Sequence, residues 1–214
     1  ASDRRFPRHR NLDSNNMTRV IEELVRREMV PAIYFIFSRR GCEEALQRCA
    51  QRHLDLTSPR EKQRIADIVA ARMADVAEDD ERKLYRSLLN REMLAQGVAV
   101  HHAGLLPFVK ELVEVLFQAG LIKVVFATET LALGIHMPAR AVIISSFTKF
   151  DGRCFPALTA GQLTQLMGRA GRRGIDAVGH GIILKDPEVD VGVIYEAAMG
   201  EDMVVESKFA PTYN

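Results

Sequence analysis

Net charge, cysteine and long apolar runs are all scarce in this chain, and each scarcity closes off a class of protein. Lysine and arginine number 29 against 28 acidic residues, a formal net charge of +1. Such a chain does not grip nucleic acid through a broad positive field, so any contact with phosphate must be local. Its 3 cysteines are an odd number in a chain too long to need disulfide staples, which points to reduced thiols in a reducing compartment. Cys42 and Cys49 are spaced to share one apolar helix face with Ala45 and Leu46, the pattern of core packing; metal ligation with His53 is the alternative. No apolar run reaches the ~18 to 20 residues that span a bilayer, and no basic-then-apolar leader opens the sequence. A soluble, cytoplasmic protein with no membrane partner is expected. The G-x-x-x-x-G-K-[ST] phosphate loop is lacking, and so is a G-x-G-x-x-G fingerprint after a strand. What remains is ordinary globular composition: 214 residues, 47% hydrophobic and 27% charged, enough for one large domain or one domain and an appendage.

Apolar runs alternate with segments of helical period along most of the length, the pattern of parallel strands joined by helical crossovers that cover both sheet faces. An α/β fold follows. Residues 32–37, after Pro31, predict a buried strand, and Ser38 can cap a helix over residues 41–53. Between residues 58 and 97 the strand pattern lapses, and two helices are expected as an insertion. Ser58-Pro59-Arg60-Glu61 is a capping box with proline at the first helical position, and the acidic stretch 78–81 favours the second start. Further strands are expected at 98–100, 121–127, 141–145 and 181–184, that at 121–127 being the best candidate for a central one. Helices should cover residues 109–117, ended by Gly120, and a stretch containing 162–169. A last helix should start at Pro187 with Asp186 as its cap, and a first should span 17–28. Ahead of it, Arg4, Arg5, Arg8, His9 and Arg10 read as a solvated linker or as a phosphate contact.

Three stretches carry chemistry. In Gln165-Leu166-Met167-Gly168-Arg169-Ala170-Gly171-Arg172-Arg173-Gly174, arginines alternate with residues too small to block close approach. Guanidinium groups suit phosphate because they are planar, permanently charged and bidentate. Arg169 and Arg172, three apart, would project from one side of a helix end; a flexible basic loop is the alternative. The stretch 127–138, ATETLALGIHMP, sits where a strand ends, and in open α/β sheets ligands gather at the carboxyl ends of strands. There the alternative is that Thr128 caps a helix while Leu131 and Leu133 pack. His101-His102-Ala103-Gly104-Leu105 also follows a strand. Adjacent histidines point in different directions, which disfavours zinc, and a polar loop whose imidazoles and Gly104 amide meet phosphates is the better reading.

These stretches in this order, together with Phe35-Ile36-Phe37-Ser38-Arg39-Arg40-Gly41-Cys42-Glu43-Glu44, resemble the second RecA-like domain of superfamily-two DExH helicases, most of all the superkiller and exosome-cofactor RNA helicases. The likeness covers residues 32–184 apart from the insertion. It implies a RecA-like α/β fold, an open and mostly parallel sheet with helices on both faces. Residues 1–16 would be the linker from a preceding RecA-like domain, 17–200 the helicase C-terminal domain, and 201–214, with Phe209, Tyr213 and Asn214, the first turn of a winged-helix region.

Position by position, the resemblance implies that Ser38 and Arg39 in motif IV, and the loop of His102, Ala103 and Gly104, touch the nucleic-acid backbone. Thr128, Glu129 and Thr130 open motif V and would bind backbone phosphates, while Gly134 would approach the nucleotide. Gln165, Arg169 and Arg172 match the polar positions of motif VI, with the two arginines as catalytic fingers reaching ATP held on the other domain. His136 stands where the family usually has asparagine and is given no role. The implied enzyme is an ATP-dependent helicase that uses ATP and Mg2+, contains no metal site in this domain, and acts on single-stranded nucleic acid, RNA favoured over DNA. A first RecA-like domain would act with it in cis. Lacking the lysine loop and the DExH box, the chain alone is expected neither to hold ATP tightly nor to hydrolyse it. Two rivals remain: a non-catalytic RecA-like module for nucleic acid or protein, disfavoured by the paired arginines, and a Rossmann-type nucleotide enzyme, disfavoured by the absent glycine fingerprint.

Overall fold

The computed structural model describes residues 14–132, 137–185 and 189–200. Five strands, β1 (Ala32–Phe35), β2 (Val98–His101), β3 (Val124–Ala127), β4 (Ala141–Ile144) and β5 (His180–Ile183), form one parallel sheet in the order β2-β3-β1-β4-β5. Every expected strand is present, with ends that move by up to three residues. The stretch expected to be most central, β3, is an interior strand, but β1 occupies the middle. Phe35 stands opposite both Ala127 and Ile144, and His101 opposite Ala127, so the carboxyl ends of β1 to β4 lie level in one row.

Parallel strands covered on both faces must be apolar throughout, and all residues of β1 to β4 except His101 are buried hydrophobics. Alternate residues feed two cores. Ile33, Phe35, Val125, Ala127, Val142 and Ile144 join one cluster with α3 (Pro59–Ala74), α6 (Pro107–Gln118) and α7 (Ala160–Met167). Tyr34, Phe126 and Ile143 join the other, with α1 (Ser14–Arg26) and α2 (Arg39–Gln51). Cys42 and Cys49 lie in this second core, where burial pushes both thiols up to about 12. The cysteines therefore pack as the helical spacing predicts.

Between α2 and β2 the chain makes three helices rather than two: α3, α4 (Asp79–Leu88) and the short α5 (Arg91–Ala95). The capping box at Ser58 is formed in both directions, and the Glu61 carboxylate also accepts from Lys123 Nζ at 2.6 Å. That ion pair first, and the Ser58 N–H second, hold Glu61 at about 2. One carboxylate thus caps α3 and ties it to the lead-in of β3. The helix α5 has no long apolar period to announce it; Asn90 caps it by accepting from the Met93 amide, and Met93 and Leu94 are buried.

Other boundaries move for local reasons. Helix α1 begins at Ser14, inside the segment expected to be linker, and ends at Arg26, with Glu28 at a φ of 57°. Strand β3 starts after Leu121 and Ile122 because both their amides bond back to the Leu116 carbonyl at the end of α6. Helix α8 (Val191–Met199) is capped by Asp190, whose side chain accepts from Gly192 N. The expected start at Asp186 and Pro187 lies outside the described residues, as do the basic opening through Arg10, Gly134, His136 and 201–214. No described helix is long and apolar enough to cross a membrane.

Candidate nucleic-acid interface and arginine loop

Four loops leave the level row of strand ends and enclose a groove of about 190 Å³, lined by Phe37, Ser38, Arg39, Ala103, Thr128, Glu129, Thr130 and Lys149. The loops belong to β1, β2, β3 and β4, which lie side by side, so residues far apart in the chain converge. Ser38 is the N-cap of α2, its Oγ accepting from Gly41 N at 3.0 Å, which leaves its hydroxyl hydrogen available. Arg39 is exposed and has no ion-pair partner among the described residues. Thr128 and Thr130 place their hydroxyls 2.9 Å apart. Thr128 also precedes a 3-10 turn, Glu129–Ala132, whose Leu131 is fully buried, so the segment both packs and presents polar groups.

The histidine loop differs from expectation. His101 and His102 are both buried. His102 Nδ1 accepts from Gly104 N at 3.2 Å, which places the proton on Nε2 and directs it to Glu43 Oε1 at 2.9 Å. Both the imidazole and the Gly104 amide are therefore spent inside the fold. His101 Nε2 pairs with Glu114 at 2.9 Å, and burial pushes its pKa down despite that carboxylate. Of the expected phosphate contacts in this loop, Ala103 alone lines the groove. His102 and Gly104 shape the turn that puts it there.

Glu129 reaches the groove but is the counterion of Lys149. Nothing in the sequence marks Lys149. A lone lysine in a polar loop carries no signal, and only the pairing of β1 with both β3 and β4 brings it beside a residue 20 positions earlier.

The arginine loop is built at the opposite end of the sheet, beside the start of β4. Helix α7 ends at Met167, with Gly168 as C-cap, so Arg169 and Arg172 do not share a helix face as their spacing suggested. Ala139 and Ala170 form a parallel bridge, held by Ala139 N to Arg169 O at 2.9 Å and Gly171 N to Ala139 O at 2.7 Å. The glycines serve this stitching first. Gly171 has a φ of +87°, and a Cβ on Gly179 would lie 2.5 Å from the carbonyl of Ala170 and the nitrogen of Gly171. Arg169 donates Nη2 to the Ala132 carbonyl, which links the loop to the end of the 3-10 turn whose other end borders the groove. Arg172 is held by Asp176: Nε and Nη2 donate to the two carboxylate oxygens at 2.8 Å each, and the Arg172 amide adds a third bond at 3.0 Å. The Arg172 side chain is 24% exposed and that of Asp176 only 4%. Arg172 first, then Arg140 at longer range, keep Asp176 at about 2. This internal pair runs against a freely extended Arg172. The Nη1 nitrogen keeps no partner among the described residues. Gln165 is exposed on α7.

Residues 54–174, more than half of the chain, match the helicase conserved C-terminal domain family. The matched stretch runs through α3, α4 and α5. Over 196 residues, 91% of the chain, it is 47% identical to the probable helicase HelY of Mycobacterium tuberculosis, covering 21% of that protein. It is 40% identical to the antiviral helicase SKI2 of Saccharomyces cerevisiae over 91% of the chain and 15% of the relative, and equally so to the human superkiller complex protein 2. The chain spans about a fifth or less of the length of these relatives. With its parallel sheet, its two-sided helical cover and this likeness, the chain belongs to the helicase conserved C-terminal domain family, and its RecA-like fold is consistent with the C-terminal domain of a DExH-type superfamily-two helicase close to the superkiller helicases.

Proposed function

We propose that this domain is the second motor lobe of an ATP-dependent helicase whose groove at the strand ends tracks a single strand. The observation that carries the reading is the convergence of Ser38, Arg39, Ala103, Thr128 and Thr130, from three separate loops, on one groove. Hydroxyls and an exposed guanidinium suit a phosphodiester backbone and demand no base sequence. RNA is favoured over DNA because a relative 37% identical over 94% of the chain is a DExH-box ATP-dependent RNA helicase, DExH9 of Arabidopsis thaliana.

A first RecA-like lobe elsewhere in the polypeptide would hold ATP and Mg2+, which supply the phosphoryl-transfer chemistry. Arg169, Arg172 and Gln165 would complete that pocket across a cleft, with Gly134 beside the nucleotide. In this reading Asp176 orients Arg172 by its Nε and Nη2 edge and leaves Nη1 to the phosphate. Preorganised positive charge of this kind offsets the charge that develops on the transferred group and is worth about 10³ to 10⁵ in rate. Closure would also move the groove relative to the first lobe, stepping the strand along. The chain alone, with no lysine phosphate loop, should not turn ATP over.

The Arg172–Asp176 pair itself supports a second reading, in which Arg172 clamps the turn and takes no part in catalysis. In a polypeptide joining both lobes, Arg172→Ala is expected to remove most ATP turnover while strand affinity changes little and the melting temperature falls only by the few degrees that loss of the Asp176 pair implies. Turnover within a few-fold of wild type would refute the finger role; a large drop in melting temperature with matching loss of strand binding would favour the clamp.

A further inference from the structure

The groove holds two cations of unlike status. Arg39 has no ion-pair partner among the described residues, whereas Lys149 Nζ sits on both oxygens of Glu129. We propose that Lys149 is a second phosphate-binding cation of the groove, and that Glu129 is its internal counterion, which a strand phosphate must displace. The inference rests on the strand-tracking reading above and goes beyond it, because it reassigns Glu129 from a binding group to a competitor.

The chemistry leaves little choice for a carboxylate in this place. Glu129 lines the same wall as the hydroxyls of Thr128 and Thr130, so a phosphodiester drawn in by those groups meets a negative charge. Unless something neutralises it, Glu129 repels the ligand. Lys149 does so now, but its ammonium can equally serve the incoming phosphate, with charge-assisted hydrogen bonds of the same kind. The exchange is easy because the pair is not sealed: the Lys149 side chain is 27% exposed and that of Glu129 40%. Partly exposed pairs with no further hydrogen bonds contribute little to folding stability. The pair is therefore poorly explained as a structural brace. Contrast Lys123 and Glu61, 17% and 29% exposed, where the carboxylate also caps a helix and the ammonium also donates to the Gly120 carbonyl. Nothing comparable fixes Lys149, and no other hydrogen bond of its ammonium is found among the described residues.

A fluorescent single-stranded oligouridine, titrated with the chain by anisotropy between low and moderate salt, tests this. Lys149→Met should weaken binding several-fold and lower the slope of log affinity against log salt by about 0.7, the share of one phosphate contact on a single strand. Glu129→Gln should tighten binding by roughly 1.5- to 5-fold, the range that an exposed ion pair withholds. A merely structural glutamate would not yield tighter binding when neutralised. If Lys149→Met changes neither affinity nor slope, or Glu129→Gln weakens binding, the inference fails. Arg39→Ala combined with Thr128→Val separates the two levels: when that variant loses affinity while Lys149 proves silent, the groove reading stands without the counterion. If it binds like wild type, both fall. Should Lys149→Met fail to fold, the isosteric Glu129→Gln decides alone.

Discussion

A methyl group added at Gly179 tests whether the arginine loop is held by internal packing. The Cβ of Gly179→Ala would lie 2.5 Å from Ala170 C, Ala170 O and Gly171 N, all backbone atoms that cannot swing aside. Ordinary van der Waals contact requires about 3.5 to 4 Å between carbons, so the loop must move by roughly 1 Å. Gly171 N donates to Ala139 O and Arg169 O accepts from Ala139 N, so the movement strains the bridge that docks the loop beside β4. Overpacking of this kind costs about 1 to 3 kcal/mol, and a chain of this size loses about 2 to 4 °C of melting temperature per kcal/mol, so a fall of roughly 2 to 12 °C is expected. Two other glycines serve as controls. Gly161 in α7 has open space around it, and Gly161→Ala should raise stability by about 0.5 to 1 kcal/mol. Gly174 also meets nothing but has a φ of +76°, so Gly174→Ala should cost about 1 to 2 kcal/mol from the backbone alone. Thermal unfolding followed by circular dichroism ranks the three. A Gly179→Ala melting temperature equal to that of wild type would refute the packing described for residues 168–179.

Two more expectations follow from the side-chain environments. Asp176 is held at about 2 in the folded chain, below its unfolded value, so its contribution is complete above roughly pH 4 and is lost as pH falls toward 2. Asp176→Ala should cost about 1.5 to 3 kcal/mol at neutral pH, the scale of hydrogen bonds to charged groups, and should shallow the acid limb of stability against pH; an unchanged acid limb would show that the pair contributes nothing. The thiols should separate by exposure: Cys154 reacts with a disulfide reagent in the native chain, while Cys42 and Cys49, buried and raised to about 12, react only on unfolding. Three thiols reacting together in native buffer would contradict the second core.

Some of the site was legible from residue types alone. Ser38 announces a cap by chemistry, and Ser58 with Glu61 announces a box, because capping depends on a few residues in a row. The position of hydroxyls just past a strand-like run marked Thr128 for the carboxyl end of the sheet, whereas Arg39 and Ala103 were implied only by the family resemblance. Lys149 was invisible, since its meaning comes from a neighbour across the sheet. The inward pairing of His102 is hidden for the same reason: its partner Glu43 lies 59 positions away, and the bond braces the turn.

By itself, the sequence determined the layered α/β architecture, because apolar period and turn chemistry act over a few residues and survive without tertiary context. The tertiary structure alone decided which polar groups remain available. Parallel pairing in the order β2-β3-β1-β4-β5 gathers four loops at one sheet end and lays the arginine loop beside the other. Whether Glu129 or His102 faces a ligand or an internal partner depends on charges 20 and 59 positions away in the chain, and electrostatic pairing is fixed by spatial separation rather than by sequence distance.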